Sequence, residues 1–322
     1  MSSNISIALN PKKPTVSKMQ NFLYAAKIDF RKSKGVYLLA APILIWYLIF
    51  CYAPMYGAII AFKDFVPAEG IWGGQWIGLK NFQDFFQSYY FLRLLINTLL
   101  LSLYGLIFTF PTSIILALLL NELRSNKFKR VVQTITYVPH FISLVVICGM
   151  IMVFVQQGGV IPTFLKFFGG SDQNLLLNAG AFRPIYITSD IWQQIGWGSI
   201  IYLAALTGID QELYEAARMD GASRWKQTWH ITLPCLMSTI MIMLLLRIGQ
   251  IMNIGFEKIM LLYNASIYST ADVISTYVYR RGILQAGYSY ATAVGLFNSV
   301  VSCILVIGAN KLSKKFTKIS LW

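Results

Sequence analysis

Apolar runs long enough to cross a bilayer alternate with polar stretches along this chain. They lie near 36–60, 97–120, 131–155, 184–206, 235–254 and 290–310. Each approaches or exceeds the ~20 residues that a membrane-crossing helix requires. Between the fourth and fifth runs comes a polar island, Asp210 to Pro234, which holds four of the chain's thirteen acids: Asp210, Glu212, Glu215 and Asp220. Its spacing predicts a short helix capped by Asp210, with Glu212 in the first turn and Gly221 as the stop. A second short helix begins at Ser223, and Pro234 suits the first turn of the fifth span. Ala216 and Ala217, beside Glu215, are small enough to admit another backbone. The pattern predicts an all-α membrane bundle, with a helical knob held at its mouth. Spacing alone leaves a second reading open, a solvated loop between two spans.

Composition supports the membrane setting. The chain is 56% hydrophobic and only 12% charged, with mean hydropathy +0.58, against roughly 25% charged in soluble domains. The formal charge of +14 would suit nucleic acid or an acidic ligand, but its distribution argues for topology. With the N-terminus inside, eighteen of the 27 basic residues fall on the inner side. They lie in the first 35 residues, in the loop from Arg124 to Arg130, in the knob (Arg218, Arg224, Lys226) and in the tail. Seven fall outside: Lys63, Lys80, Lys166, Arg183, Lys258, Arg280 and Arg281. Arg93 and Arg247 lie within or beside spans. This bias follows the positive-inside rule and places both termini and the knob in the cytoplasm. The first 35 residues are too polar for a signal peptide, so the first span is expected to remain uncleaved. Cys51, Cys148, Cys235 and Cys303 sit in or beside spans, with neither metal-ligand spacing nor a disulfide framework.

The expected divisions are a basic cytoplasmic arm over 1–35, a first transmembrane helix over 36–60, an extracytoplasmic segment over 61–92 and a cytoplasmic tail over 311–322. Pro42 and Pro54 bend the first span or mark its ends. The outer segment is rich in aromatics, as an interfacial belt would be, with a ligand platform as the rival reading. The second span is expected to begin at Asn97 and Thr98. His140, near the entrance of the third, reads as a cap-satisfying histidine, with titration or ligand binding as the rival. Arg247 stands near mid-bilayer, where an arginine costs about 2.5–3.5 kcal/mol and should face protein or water. It either lines a path or holds two helices together. Asn253 and Glu257 are placed on the outer part of the same helix, Glu257 too far along to pair with Arg247 directly. Acids within spans are scarce, Glu257 being the clearest. Tyrosines from Tyr263 to Tyr290 suit either interface anchoring or contact with a sugar ring or a docked protein.

Glu215-Ala216-Ala217, then Asp220-Gly221-Ala222, then Ile231 and Pro234, resemble the EAA loop of permease subunits in bacterial binding-protein-dependent ABC importers. Gly78-Leu79-Lys80-Asn81-Phe82 resembles an element preceding the core of sugar-importer permeases. Val138 to Ser143, Asn253 to Glu257, Thr270 to Arg280 and the terminal Ser320-Leu321-Trp322 resemble the LplB-type oligosaccharide subgroup, within the maltose-importer-like type I superfamily. The likeness runs from about residue 33 to the end. The later glycine-rich part of the loop is missing, and Asp220-Gly221-Ala222-Ser223 stands in its place.

The resemblance implies the type I ABC importer permease fold with six transmembrane helices. A type-1 core is expected over 93–310, its coupling loop at 207–234. It implies a multi-pass protein of the bacterial plasma membrane. Its partners would be a second, non-identical permease, a cytoplasmic ABC ATPase dimer using ATP and Mg, an extracellular sugar-binding lipoprotein and an oligosaccharide. ATPase docking falls to Glu215, Ala216, Ala217, Asp220, Gly221 and Ala222. Arg247, Asn253, Phe256, Glu257 and Asn298 are the candidates for lining the path. Arg247, Arg280 and Arg281 would suit an acidic sugar, although Arg280 belongs to the subgroup pattern.

No Walker loop, CxxC, HExxH or serine–histidine–acid set is present in the sequence, so no catalytic, cofactor or metal site is expected here. A rival class is an ion-coupled carrier or passive channel, but such carriers carry internal repeats and intramembrane acids. Uptake that persists on a proton gradient without ATP would favour it. A structural scaffold, the third class, predicts no transport defect on deletion.

Overall fold

The computed structural model describes residues 32–317 and Ser320. Most of the basic arm, and Lys318, Ile319, Leu321 and Trp322 of the tail, therefore lie outside the described residues. The chain divides into two compact units after Ala58. In the first, the described residues are almost wholly helical, from α1 (Lys34–Phe62). Leu38, Ile43, Trp46 and Phe50 are exposed there, as lipid-facing side chains would be, and none of its described residues is buried. Neither proline ends the helix. A π turn over Tyr47–Tyr52 precedes Pro54, and such a wide turn absorbs the hydrogen bond that a proline cannot donate.

The second unit opens with an antiparallel ribbon, β1 (Lys63–Asp64) against β2 (Gln75–Trp76), with Lys63 opposite Trp76. Lys63 is buried, and its ammonium donates to the carbonyls of Ile71, Trp72 and Gly73 at 3.4, 2.8 and 3.2 Å. Helix α2 (Lys80–Gln87) comes next. Its Asn81 donates to the Ala61 carbonyl at 2.9 Å, filling one of the acceptors that a helix end leaves open. The succeeding helices are α3 (Phe91–Glu122), α4 (Asn126–Phe141), α5 (Leu144–Val155) and α6 (Val160–Phe167). Then come α7 (Ala179–Thr207), α8 (Gln211–Met219), α9 (Arg224–Gly249), α10 (Phe256–Leu262), α11 (Ile274–Tyr279) and α12 (Tyr288–Thr317). The all-α class holds.

Among the described residues, five helical stretches have the length and apolarity to cross a membrane: Lys34–Phe62, Phe91–Glu122, Leu144–Phe167, Arg224–Gly249 and Tyr288–Lys315. The fourth expected run, now α7, has 29 residues, or about 43 Å of helix. Its length suffices, but Arg183, Asp190, Gln193 and Gln194 dilute its hydropathy. The window 131–155 is not one helix. Pro139 lies in the last turn of α4, and Ile142 and Ser143 are extended before α5 starts. The apolar stretch is therefore displaced to Leu144–Phe167. The second span starts at Phe91, ahead of Asn97 and Thr98, which are buried inside it.

Pro234 lies in the first turn of the α segment Leu233–Gly249, as expected, but the helix does not start there. Helix α9 is continuous from Arg224, and a π turn over Thr228–Thr232 brings it into the α segment that carries the proline. That helix stops at Gly249, so Asn253 and Glu257 are not on it. The break accommodates Tyr186, because a Cβ on Gly255 would stand 1.9 Å from the tyrosine Oη.

Lipid is as apolar as leucine, so close packing and polar contacts hold such a bundle together. Helix α7 is the central post. At Gly196 a Cβ would stand 2.1 Å from the Thr136 carbonyl oxygen of α4. His140 of α4 stacks on Trp197 of α7 at 4.4 Å, and its Nδ1 lies 3.1 Å from Gln194 Oε1. His140 is therefore an interhelical contact, not a cap. Leu101, Ile147, Phe182, Ile259 and Val273 share one apolar cluster. Phe85, Leu94, Met252 and Tyr277 form a second, and Ala117, Tyr202 and Leu236 anchor a third.

Candidate functional site: the knob and the intramembrane charges

The knob forms as its polar residues direct. Asp210 Oδ1 accepts from the Glu212 amide at 3.0 Å. Gly221 takes φ 72°, and the amides of Gly221 and Ala222 return to the carbonyls of Arg218 and Ala217, closing α8 in the manner of a glycine stop. Ser223 accepts from the Lys226 amide at 3.4 Å and starts α9. No residue of α8 is buried, and Met219 is 88% exposed. Glu215 meets Arg218 at 3.8 Å with both side chains open to solvent, a pair of little energetic consequence whose carboxylate remains available to a partner. Glu215, Ala216, Asp220 and Gly221 are exposed, and Ala217 and Ala222 are half-buried.

Polar contacts fix this projection to the bundle. Tyr214 Oη and Thr232 Oγ1 are 2.9 Å apart, tying α8 to the π turn of α9. Arg224 reaches Glu122, at the end of α3, at 3.1 Å. Gln227 Nε2 donates to the Ala222 carbonyl at 2.8 Å.

Inside the bundle, Asp190 of α7 stands between two cations. Arg247 Nη2 is 3.9 Å from one of its oxygens and Lys258 Nζ is 3.9 Å from the other. Lys258 is buried under the Tyr186 ring, 4.9 Å from its centroid, and lies 3.4 Å from the Tyr186 carbonyl. Arg247 sits in the last turn of α9, where a cation complements the helix dipole. With Asp190, Ser102, Tyr186, Gln250 and Asn253, it lines a cavity of about 160 Å³. Ser102 donates to the Ile251 carbonyl across this space.

A second ionic knot joins α3 to the segment around α11. Asp272 is wholly buried and receives both Arg280 nitrogens, at 3.2 and 2.6 Å, and the Thr276 hydroxyl at 2.9 Å. Arg93 lies 4.0 Å away. Burial by itself would lower the Arg280 pKa, but the hydrogen bonds and charge of Asp272 outweigh it and hold the guanidinium above the ordinary arginine range. Asn97 donates to the Asp272 and Ser269 carbonyls and accepts from Arg183 at 2.8 Å.

Of the five expected path residues, the structure brings three together. Arg247 and Asn253 share the cavity, and Asn298 donates to Asn253 Oδ1 at 2.9 Å. Phe256 packs on Tyr279 with ring centroids 5.4 Å apart. Glu257 is exposed in the first turn of α10 and, among the described residues, forms no ion pair. Arg280 is tied to Asp272, which removes it from the cations free to meet a solute. Glu257 is also not the clearest acid within a span: Asp190 lies inside α7. A signal for Asp190 was available, since an acid inside an apolar run is costly and demands a partner. No spacing rule pointed to Lys258, because the pair joins α7 to α10 across the fold.

Similarity to known proteins fits this arrangement. Residues 109–317 match the family model described as binding-protein-dependent transport system inner membrane component. Protein LplB of Bacillus subtilis (strain 168) is 48% identical over 293 residues, covering 91% of this chain and 92% of that protein. The polygalacturonan/rhamnogalacturonan transport system permease protein YteP of the same organism is 48% identical over 290 residues, covering 90% of each. A solved chain from a bacterial ABC transporter involved in the import of the acidic polysaccharide alginate superposes with TM-score 0.84 at 44% identity. That likeness spans 91% of this chain and 99% of the other.

Proposed function

The chain belongs to the family of binding-protein-dependent transport system inner membrane components, and from that premise we propose that it forms half of the translocation path of an ATP-driven importer. The family is a transport component, not a catalytic subunit. The cargo is an oligosaccharide or polysaccharide fragment, acidic ones included, as the named substrates of the relatives suggest. A second, non-identical permease completes the path, and an extracellular sugar-binding lipoprotein delivers the cargo. An ABC ATPase dimer, with its ATP and Mg, docks on the inner face. Helix α7 is the sixth crossing, residues 93–310 form the core, and both termini and the knob are cytoplasmic, in keeping with the basic residues around them.

One observation carries the docking assignment: α8 is a capped, wholly unburied projection, tied through Tyr214 to a membrane-spanning helix. Such a shape suits a motor that must push on the bundle. ATP biases the path only if the knob is held differently in the open and closed states of the ATPase. Glu215 is the contact we assign to a basic residue of that partner, with Ala216, Ala217, Asp220, Gly221 and Ala222 around it.

The experiment is reconstitution of the whole importer in vesicles with Glu215→Ala. Insertion stays intact, ATP hydrolysis persists and sugar uptake falls. Uptake at the normal rate would refute the docking role. Uptake driven by a proton gradient in the absence of ATP would refute the importer reading itself.

A further inference from the structure

The arginines around the bundle differ in how they are engaged. Arg280 is held by both oxygens of Asp272. Arg183 donates to Asn97, and Arg281 to Tyr277 and Gln285. Among the described residues neither Arg93 nor Arg247 makes a side-chain hydrogen bond, but Arg93 is packed over the Tyr90 ring and 4.0 Å from buried Asp272, whereas Arg247 is the more exposed of the two and stands 3.9 Å from Asp190, beyond hydrogen-bond reach. A guanidinium carries five N–H donors. Those of Arg247 have no protein acceptor among the described residues, and its side chain is 47% exposed. Arg247 and Gln250 also border a second cavity of about 290 Å³, with Thr109, Ser113, Gln194 and Trp197.

The charges around it do not balance. Asp190 has one negative charge and two cations, each 3.9 Å away and either sufficient to balance it. Lys258 is fixed, with a side chain only 5% exposed, beneath the Tyr186 ring. The surplus positive charge therefore sits on the member of the trio that is free to move, at the boundary of two cavities.

We propose that Arg247 takes hold of a carboxylate on the passing solute, and that Asp190 is its resident stand-in between passages. The guanidinium leaves Asp190 and grips the solute carboxylate through two parallel N–H bonds, the geometry arginine favours. Lys258 stays with Asp190, so no unpaired charge is left buried when Arg247 departs. This rests on the importer reading and narrows its cargo to sugars carrying a carboxylate at this point of the path. Asp190 and Lys258 are positioning residues and do not touch the solute.

The test uses the complete importer and a matched pair of probes, trigalacturonate and its neutral methyl ester. Uptake is measured for wild type, Arg247→Gln, Arg247→Lys and Asp190→Asn. Labelling of Arg247 by phenylglyoxal, read by peptide mass spectrometry, is monitored with and without each probe. Arg247→Gln should lower uptake of the acid relative to the ester by about tenfold or more, as loss of a charged hydrogen bond implies. Arg247→Lys should recover part of that preference, and Asp190→Asn should lower the half-saturating concentration of the acid. The acid, and not the ester, should protect Arg247 from labelling. Equal loss of both probes in Arg247→Gln, with equal labelling in their presence, overturns the proposal and leaves the importer reading standing. Protection by the acid without ATP-driven uptake of either probe overturns the importer reading and leaves the carboxylate site standing.

Discussion

Arg280 grips Asp272 through both carboxylate oxygens, at 3.2 and 2.6 Å, and Asp272 has no solvent exposure. The pair holds α11 to the turn before it, and the Asp272 carbonyl receives Asn97 from α3. Removing one member of a buried pair leaves a charge without compensation and costs about 3–5 kcal/mol. Asp272→Asn should therefore lower the unfolding temperature of the purified protein in detergent markedly. Asp272→Asn combined with Arg280→Gln should unfold at a higher temperature than Asp272→Asn alone. A single variant that melts with wild type would show that the knot is dispensable.

Gly255 and Tyr186 should behave as a coupled pair. In Gly255→Ala the new methyl would meet the tyrosine Oη at 1.9 Å and Cζ at 3.1 Å. Overpacking of this kind costs about 1–3 kcal/mol. Tyr186→Phe removes the nearer atom, so the double variant should be more stable than the sum of its single changes predicts. Thermal melts of the four proteins give the coupling directly, and strict additivity would contradict the geometry.

Lys63 should organise the two-stranded ribbon. Its ammonium has three carbonyl acceptors from residues 71–73. Lys63→Met keeps the length of the side chain but leaves those acceptors unfilled, a local cost of about 1–3 kcal/mol. Limited proteolysis should then cut between residues 63 and 78 several times faster than in wild type, with expression of the membrane bundle maintained. Unchanged cleavage there would assign the loop's order to other contacts.

The Tyr214–Thr232 hydrogen bond is the link through which the knob would act on α9. Tyr214→Phe removes only the hydroxyl, at about 1 kcal/mol. In the reconstituted importer, sugar moved per ATP hydrolysed should fall although the ATPase rate is retained. An unaltered ratio would place the transmission elsewhere.

The parts of this fold legible in the chain were those written in neighbouring residues. Asp210, Gly221 and Ser223 announce helix ends because a cap is made within three or four residues. The apolar runs announce crossings because lipid tolerates little else. What escaped was set by residues far apart in sequence. Gly255, where α10 starts, answers to Tyr186 on another helix, and Asp190 finds Lys258 only after α7 and α10 have packed. The break between α4 and α5 was half visible: Pro139 marked it, but continuous apolarity from 131 to 155 concealed it. Arg247 stood out alone, yet whether its guanidinium was engaged or open depended on Asp190, which an averaged hydropathy window had absorbed.

From the knob to the cavity beside Arg247, α9 is one rod with a single wide turn near its base. At ~1.5 Å per residue, Arg224 and Arg247 mark the two ends of a lever arm of about 35 Å. A lean of about 10° pivoted at the knob end would sweep the Arg247 end sideways by about 6 Å, more than its 3.9 Å separation from Asp190. A slight rotation at one membrane face is thus enough to part or rejoin two opposite charges deep in the bundle, with no chain of side chains relaying it.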